Sequence, residues 1–343
     1  MCECTVGAAC GLEYLSVSRV YIVVVNWNGW QDTIECLESL MLLEYPDFQV
    51  VVCDNGSQDD SLRKLREWCQ RSSGTTPDAW KELSRESAEK GGGIPDVRVT
   101  LVTNCVNLGF AGGTNVGLRY ALACGDADFC WLLNNDTVAD NQALAEMVQR
   151  LKDRPDACMC GSTVREYGDR SKIQALGGAR YYKWLGVAWH IGRTTRGDIL
   201  PDPDLVESKM DYVVGSSLLV RSEYLQEVGF MAEEYFLYFE EIDWVTRGMG
   251  RCRLAYAPKS IVYHKVGASI GTATNPIHKS YICDYYTLRN RLLFSRRYYP
   301  YVLPGIYACL VCELLVRLIV GRWDLARMIC GLLKHGGIEA EMS

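Results

Sequence analysis

The sequence predicts an α/β fold: a mainly parallel central sheet flanked by helices, with a helical extension at the C-terminus. Three observations carry this. The runs at 20–25 and 48–53 are nearly continuous in apolar β-formers, as expected for strands buried on both faces. Helical periodicity alternates with such runs, and strand–helix repeats imply a parallel sheet with right-handed crossovers. The runs end in polar clusters, Asn26, Asp54-Asn55 and Asn134-Asn135-Asp136. Open parallel sheets place their ligands at the carboxyl ends of the strands.

Taken in order, residues 1–18 read as a loose leader. Residues 20–26 form the first strand, followed by the turn Trp27-Asn28-Gly29-Trp30. A helix then carries Ile34, Leu37, Leu40 and Met41 on one face and breaks before Pro46. Residues 48–53 form the second strand, which ends in Asp54-Asn55-Gly56-Ser57; Gln58-Asp59-Asp60-Ser61 can begin a helix running to about Arg71. The pattern lapses over 72–95. Gly91-Gly92-Gly93 and Pro95 mark a surface insertion there, with at most a short charged helix at 80–88. Residues 97–103 resume the sheet, and the glycine-rich stretch 107–115 enters a helix reaching about Ala123. The apolar run through Trp131-Leu132-Leu133 stops at Asn134, and a helix spans 141–152.

The second half is less regular. Gly177-Gly178 and the cluster Tyr181, Tyr182, Trp184 and Trp189 suggest a loop-rich surface. Residues 211–221 read as a strand, 223–228 as a short helix, and 251–257 and 261–264 as short strands around Pro258. Residues 279–297 form a helix. A further helical stretch at 305–334 has Leu310, Leu314, Leu315, Leu318 and Ile319 on one face and Glu313, Arg317 and Asp324 on the other. Arg322, Arg327 and Lys334 make it basic, so it suits peripheral contact with an anionic membrane. Packing on its own domain or on a second subunit is the alternative.

An apolar share of 48% over 343 residues supplies a sizeable core. The net charge of -6 argues against a generic nucleic-acid partner, which leaves a basic footprint. Cysteines are numerous at 16, and several (Cys36, Cys53, Cys130) sit in apolar patterns as small hydrophobes. The C-x-C pairs at Cys2/Cys4 and Cys158/Cys160 lack a C-x-x-C partner, so reduced thiols are expected rather than zinc. The N-terminus has no basic region followed by a long apolar core, so no signal peptide is expected. No uncharged apolar run reaches the roughly 18 residues of a membrane span.

Three stretches can carry chemistry, and each has a structural alternative. Asp136 at a strand end suits a hard cation such as Mg²⁺, which prefers oxygen ligands and keeps phosphate oxygens among them; it can equally shape a turn. The 107–115 loop can bring backbone N–H groups to a diphosphate, or only let a helix pack closely on the sheet. Glu240, Glu241 and Asp243 place three carboxylates in four positions. Such a cluster raises at least one pKa and can poise a base, or it can be a solvated helix start. His264 can be a structural histidine or a metal ligand.

In their order, Asp54-Asn55-Gly56-Ser57, the 107–115 loop, Asn134-Asn135-Asp136, Glu240-Glu241 and His264 resemble the family 2 glycosyltransferases of the GT-A fold. The rhamnosyltransferase-like branch is the most similar, and Tyr285-Tyr286-Thr287-Leu288-Arg289-Asn290-Arg291 also looks like it. The likeness covers roughly residues 20–297. It implies a nucleotide-binding half at 19–152, with the 72–95 insertion, an acceptor half at 153–298, and an extension at 299–343. It implies that Asn26 and Asp54 hold the base and ribose of a nucleotide sugar. Asn107, Gly109, Phe110, Gly112, Gly113 and Asn115 would line that site with Asn134 and Asn135. Asp136 and His264 would bind a divalent cation, Mg²⁺ or Mn²⁺. Glu241 would be the catalytic base, with Glu240 or Asp243 as alternatives. The implied activity is inverting transfer from dTDP-rhamnose or a UDP-hexose to a saccharide or lipid-linked acceptor, in cell-surface polysaccharide synthesis. The implied place is the cytoplasm, with contact to the inner face of the cell membrane.

Two positions depart from that pattern. Asn134 stands where the family's D-x-D begins, which removes one anionic contact. Glu241 stands for the usual Asp, and its extra methylene moves the base by over ~1 Å. A sugar nucleotidyltransferase would share the strand–helix plan, but its glycine-rich, basic entry loop is replaced by Trp27-Asn28-Gly29-Trp30. A non-catalytic nucleotide-sugar-binding module is the third reading, motivated by the two departures.

Overall fold

The apolar runs become the middle of one large sheet. A computed structural model of the chain describes residues 17–72, 80–91, 97–197, 200–251, 253–265 and 280–336. Most of the expected leader, and Gly92, Gly93 and Pro95 of the insertion, lie outside the described residues.

The strands in the first half are β1 (Val20–Asn26), β2 (Phe48–Asn55), β3 (Trp80–Ser84), β4 (Val99–Asn104), β5 (Phe129–Asn134) and β6 (Thr137–Ala139). Those in the second are β7 (Ala157–Glu166), β8 (Ile173–Leu176), β9 (Gly178–Tyr182), β10 (Val187–His190), β11 (Tyr212–Val213), β12 (Ser217–Arg221) and β13 (Arg253–His264). The helices are α1 (Trp30–Leu40), α2 (Ser61–Ser72), α3 (Arg85–Glu89), α4 (Gly109–Cys124), α5 (Ala143–Asp153) and α6 (Pro203–Glu207). They continue as α7 (Ser222–Val228), α8 (Glu240–Arg247), α9 (Tyr281–Tyr298), α10 (Leu303–Ile319) and α11 (Trp323–His335).

The main sheet runs β3-β4-β2-β1-β5-β12-β7-β13-β6, with β8 paired to β7. Its first five strands are parallel, and β12 runs antiparallel to both β5 and β7. The two-residue period of a strand sends Val20, Ile22 and Val24 to one face and Tyr21 and Val23 to the other. Leu144, Met147 and Leu151 of α5 and Leu65 and Trp68 of α2 cover the first face. Val116, Leu118 and Tyr120 of α4 cover the second. Full burial of such side chains stabilises by about 1.5–3 kcal/mol each, so β1, covered on both faces, anchors the layer.

Several elements differ from the expectations. Trp80–Ser84, read as part of a surface insertion, joins the sheet as an edge strand parallel to β4. Lys81 and Glu82 masked its alternation, and Glu82 is held by two hydrogen bonds from Arg66 at 2.8 and 2.7 Å. β7 lies inside the sheet although nothing marked it. Its sequence is ACMCGSTVRE, and such small residues carry little hydrophobic signal. They are needed there, because a β-carbon on Gly161 would collide with the Gly177 carbonyl. The aromatic stretch around Tyr181 belongs to a three-stranded sheet, β10-β9-β11, rather than to loops. The two short strands around Pro258 are one strand, β13, with an irregularity between Ala257 and Ile261. Cys158 is disulfide-bonded, against the expectation of reduced thiols, whereas Cys36, Cys53 and Cys130 are free and buried.

The helical stretch at 305–334 is two helices. α10 and α11 pack with α9 around Leu288, Leu292, Ile306, Leu310 and Ile329. Residues Pro300–Ile319 make a helix long and apolar enough to cross a membrane by length and composition. Glu313 and Arg317 interrupt the uncharged run within it, one turn apart, and pair with each other.

Candidate active site

The sheet's topology changes direction at β1, which pairs with β2 on one side and β5 on the other. Crevices at such switch points are where open sheets bind ligands. The carboxyl ends of these strands carry Asn26, Asp54 and Asn134. Asn26 Nδ2 donates to Asp54 Oδ1 at 2.8 Å and to Ser57 Oγ at 3.1 Å. The Thr33 hydroxyl donates to Asn26 Oδ1 at 2.7 Å and accepts from Asn135 Nδ2 at 3.0 Å. Asn26 and Asp54 are buried, so these bonds meet the requirement that buried polar groups be paired. The network ties three strand ends into one unit. Thr33 is its centre, and nothing in the sequence distinguished it.

The glycine-rich stretch divides between two uses. Asn107 Oδ1 accepts from Asn55 Nδ2 and from Gly109 N, both at 2.9 Å. Gly109 has φ +72°, and a β-carbon there would collide with the Phe236 carbonyl. Phe110 N donates to that carbonyl at 2.7 Å. Gly113 is packing: its β-carbon would lie 2.9 Å from Val25 Cγ1. On Gly112 it would lie 2.7 Å from Leu108 Cβ. Asn115 turns away from the strand ends. Its amide donates to Met231 O and Glu233 Oε1, both at 2.9 Å.

Asp136 follows β5 and His264 ends β13. His264 Nε2 lies 3.1 Å from Asp136 Oδ1 and 3.4 Å from Asn134 Nδ2. His264 Nδ1 lies 2.8 Å from Gln174 Oε1 on β8. Gln174 thus holds one ring nitrogen while the other faces the Asp136 carboxylate. A carboxylate oxygen and an imidazole nitrogen at that separation make a donor set that a divalent ion can share, and a contact like that of Gln174 is what orients an imidazole for such a role. Among the described residues no group of three or more His, Cys, Asp or Glu is placed to hold a metal. Two protein ligands match hard cations that take substrate phosphate and water for the rest. Lys265 N donates to Asp136 O at 2.9 Å. Its ammonium reaches Asp32 at 2.7 Å and also Glu35 on α1, which fixes this corner.

The carboxylate cluster opens α8 and its members diverge. Asp243 is wholly buried. It accepts from the Tyr235 and Tyr298 hydroxyls at 3.1 and 2.6 Å and from Arg247 Nε at 2.7 Å, so both its oxygens are engaged. Glu240 is buried and its Oε2 has no partner. Burial, then the neighbouring Glu241, raises its pKa well above the ordinary range. Glu241 is half-buried. Burial raises its pKa too, opposed by backbone hydrogen bonds at Glu241 and Gly215. A β-carbon on Gly215 would collide with the Glu241 carboxylate. The next residue, Ser216, accepts from Asn134 N at 3.2 Å. The segment Gly215-Ser216 thus touches the Glu241 carboxylate on one side and the Asn134–Asp136 turn on the other.

A strand-end polar network, a paired carboxylate and imidazole, and a poised carboxylate meet at one edge of this sheet. The sequence model of glycosyl transferase family 2 matches residues 21–202. The chain belongs to that family. It is a glycosyltransferase. The low-salt glycan biosynthesis hexosyltransferase Agl10 of Haloferax volcanii is 20% identical over 269 residues, which are 74% of this chain and 71% of Agl10. Among solved structures, the mannosyltransferase PcManGT of Pyrobaculum calidifontis, in complex with GDP-Man and Mn²⁺, superposes with a TM-score of 0.52 at 16% identity. That match covers 92% of this chain and 85% of PcManGT. GalNAc-T7, with UDP, GalNAc and Mn²⁺, gives a TM-score of 0.53 at 14% identity, over 81% of this chain and 51% of that one. S. aureus TarS 1–349, in complex with UDP-GlcNAc, gives 0.50 at 15% identity, over 80% of this chain and 66% of that one. These likenesses establish the GT-A fold for the glycosyltransferase.

Proposed function

We propose that this glycosyltransferase moves a sugar, with inversion, from a nucleoside-diphosphate sugar to a hydroxyl of a saccharide or lipid-linked acceptor. The observation that carries the reading is the Asp136–His264 pair joined to Glu241 through Gly215-Ser216. Asn26 and Asp54 hold the nucleoside end of the donor. Asp136 and His264 would hold the divalent cation, Mg²⁺ or Mn²⁺. The cation, when bound, neutralises charge on the leaving diphosphate. Glu241 accepts the proton of the acceptor hydroxyl. The freed oxygen bonds to the anomeric carbon on the face opposite the diphosphate, the bond from that carbon to the phosphate oxygen breaks, and configuration inverts. Asp243 keeps to its structural bonds. Support for a nucleotide-sugar donor and a divalent cation comes also from PcManGT, solved with GDP-Man and Mn²⁺, and TarS, solved with UDP-GlcNAc. dTDP-rhamnose and UDP-hexoses are the first donors to try, in a pathway of cell-surface polysaccharide synthesis.

A thermal-shift screen of nucleotide sugars with and without Mn²⁺ tests this, since a ligand that binds only the folded state raises the apparent Tm. A cation-dependent rise is expected for at least one donor, and Asp136→Ala should weaken the cation's half-saturation by at least the roughly 10-fold that loss of a residue behind a ligand costs. An unchanged half-saturation in that variant would remove Asp136 from the site. Gly215→Ala gives a second check. Its β-carbon displaces the Glu241 carboxylate, and a misplacement of about 1 Å costs on the order of 10²-fold in rate. Turnover is expected to fall with the donor-induced Tm shift intact; unchanged turnover would place the base elsewhere.

A further inference from the structure

Amphipathic helices on a soluble domain turn their apolar stripe inward and their charges to water. α10 buries Ile306 and Leu310 against the domain, yet its outer face is apolar as well and its charges turn inward. Its only charged residues, Glu313 and Arg317, lie toward the domain: Arg317 is 3% exposed and pairs with the fully buried Asp284 of α9. Its outward stripe is apolar throughout. Val311 is 45% exposed, Leu315 53% and Ile319 84%, with Ala308 and Leu318 beside them. The helix of 17 residues spans about 25 Å at 1.5 Å per residue.

Both ends of the stripe carry exposed aromatic rings. Tyr301 precedes it and contacts Trp184 of the β9–β10 hairpin, with ring centroids 5.7 Å apart. Trp323 follows it, 61% exposed. Such amphipathic rings favour the headgroup level of a bilayer. Cations accompany them. Lys183 Nζ lies 5.7 Å from the Tyr301 ring centroid, and Arg327 and Lys334 are exposed on α11. Asp324 at this rim is paired with Arg322.

We propose that the outward face of α10, with Trp184, Tyr301 and Trp323, docks on an anionic lipid bilayer. The occupant is lipid rather than a second copy of the chain for two reasons. The stripe presents no charged side chain for a protein rim to pair with, whereas apolar length between aromatic ends is what a bilayer interface accepts. Lys183 at the Tyr301 end complements anionic headgroups, as would the exposed Arg327 and Lys334 of α11, at about 1 kcal/mol per Lys or Arg near the surface. The ion pair of Arg317 with Asp284 keeps α10 on the domain, so the helix lies in the interface plane.

The test is flotation of the full-length chain with vesicles of phosphatidylcholine alone and of phosphatidylcholine mixed with phosphatidylglycerol. The wild type is expected to float with the mixed vesicles and less with the neutral ones. Leu315→Glu with Ile319→Glu should reduce flotation by about tenfold or more, since a buried CH₂ is worth about 0.8 kcal/mol and a charge must then enter the interface. Lys183→Glu, on a side chain outside the helix pair, should weaken only the preference for anionic vesicles. Thermal unfolding without lipid confirms that both variants fold, because all three positions are exposed. Recovery of the wild type in the soluble fraction with both vesicle types overturns the proposal. So does a lipid-free dimer that Leu315→Glu with Ile319→Glu turns into a monomer while flotation stays unchanged.

Discussion

Glu241→Gln is expected to lower sugar transfer by about 10²–10⁴-fold, the usual contribution of a positioned general base, while donor binding persists. Glutamine matches glutamate in shape and its carbonyl can still accept from the Gly215 backbone, so the change removes basicity more than structure. The pH profile gives an independent check. Burial raises the pKa of Glu241, and burial plus the Glu241 charge raises that of Glu240. The acid limb of kcat/KM should therefore lie above the ordinary glutamate value of about 4.3. Stability moves the other way. A carboxyl whose pKa is raised on folding contributes stability that is fully present below its unfolded pKa and lost as pH rises through the folded one. Glu241→Gln should accordingly raise Tm at neutral pH, with the gain vanishing below about pH 4. Steady-state rates from pH 4 to 9, calorimetry of donor binding and thermal unfolding measure all three. Retention of wild-type turnover at neutral pH would remove Glu241 as the base.

What the sequence revealed followed from strong local signals. β1, β2 and β5 are runs of large apolar β-formers, and their polar ends became the strand-end network around Asn26 and Asp54. β7 escaped because Ala, Cys, Gly and Ser pack tightly in a sheet without announcing themselves as hydrophobic. The partners of the candidate site were equally hidden. Gln174 meets His264 from a strand 90 residues away in sequence, and Gly215 shapes the Glu241 environment through its lack of a β-carbon. Neither residue type marks a function; only their placement gives them one. Asp243, by contrast, carried a signal in sequence through its place in an acidic cluster, and the fold commits it to Arg247 and two tyrosines.

Asn290→Ala is expected to have the second large effect, and it acts through the backbone. Phe236, Tyr238 and Phe239 have φ of +63°, +68° and +75°, a region that costs non-glycine residues of order 1–3 kcal/mol each. This strained turn leads directly into Glu240 and Glu241 at the start of α8. One side chain holds it. Asn290 Nδ2, fully buried on α9, donates to the carbonyls of Tyr235 and Leu237 at 2.8 Å and of Tyr238 at 2.9 Å. Alanine removes these bonds, each worth about 0.5–1.5 kcal/mol net, although Leu237 N still donates to the Tyr235 carbonyl at 2.6 Å, and the turn can relax toward ordinary backbone angles. Displacement of the carboxylate pair by about 1 Å would reduce kcat on the order of 10²-fold. Donor affinity should fall far less than kcat, because Asn26, Asp54 and Thr33 bond among themselves, while this turn reaches the 107–115 loop through Phe110 N and the Phe236 carbonyl. Asn290→Asp separates the donor role from simple space-filling: it keeps the volume but, ionised, cannot donate, and even protonated offers one O–H for three carbonyls, so it should lose turnover as well. Measuring kcat and donor Kd for both variants at a temperature where each is folded decides the matter. If Asn290→Asp turned over at the wild-type rate, or if both variants lost donor affinity in proportion to kcat, Asn290 would be a general stabiliser rather than the residue that aims Glu241.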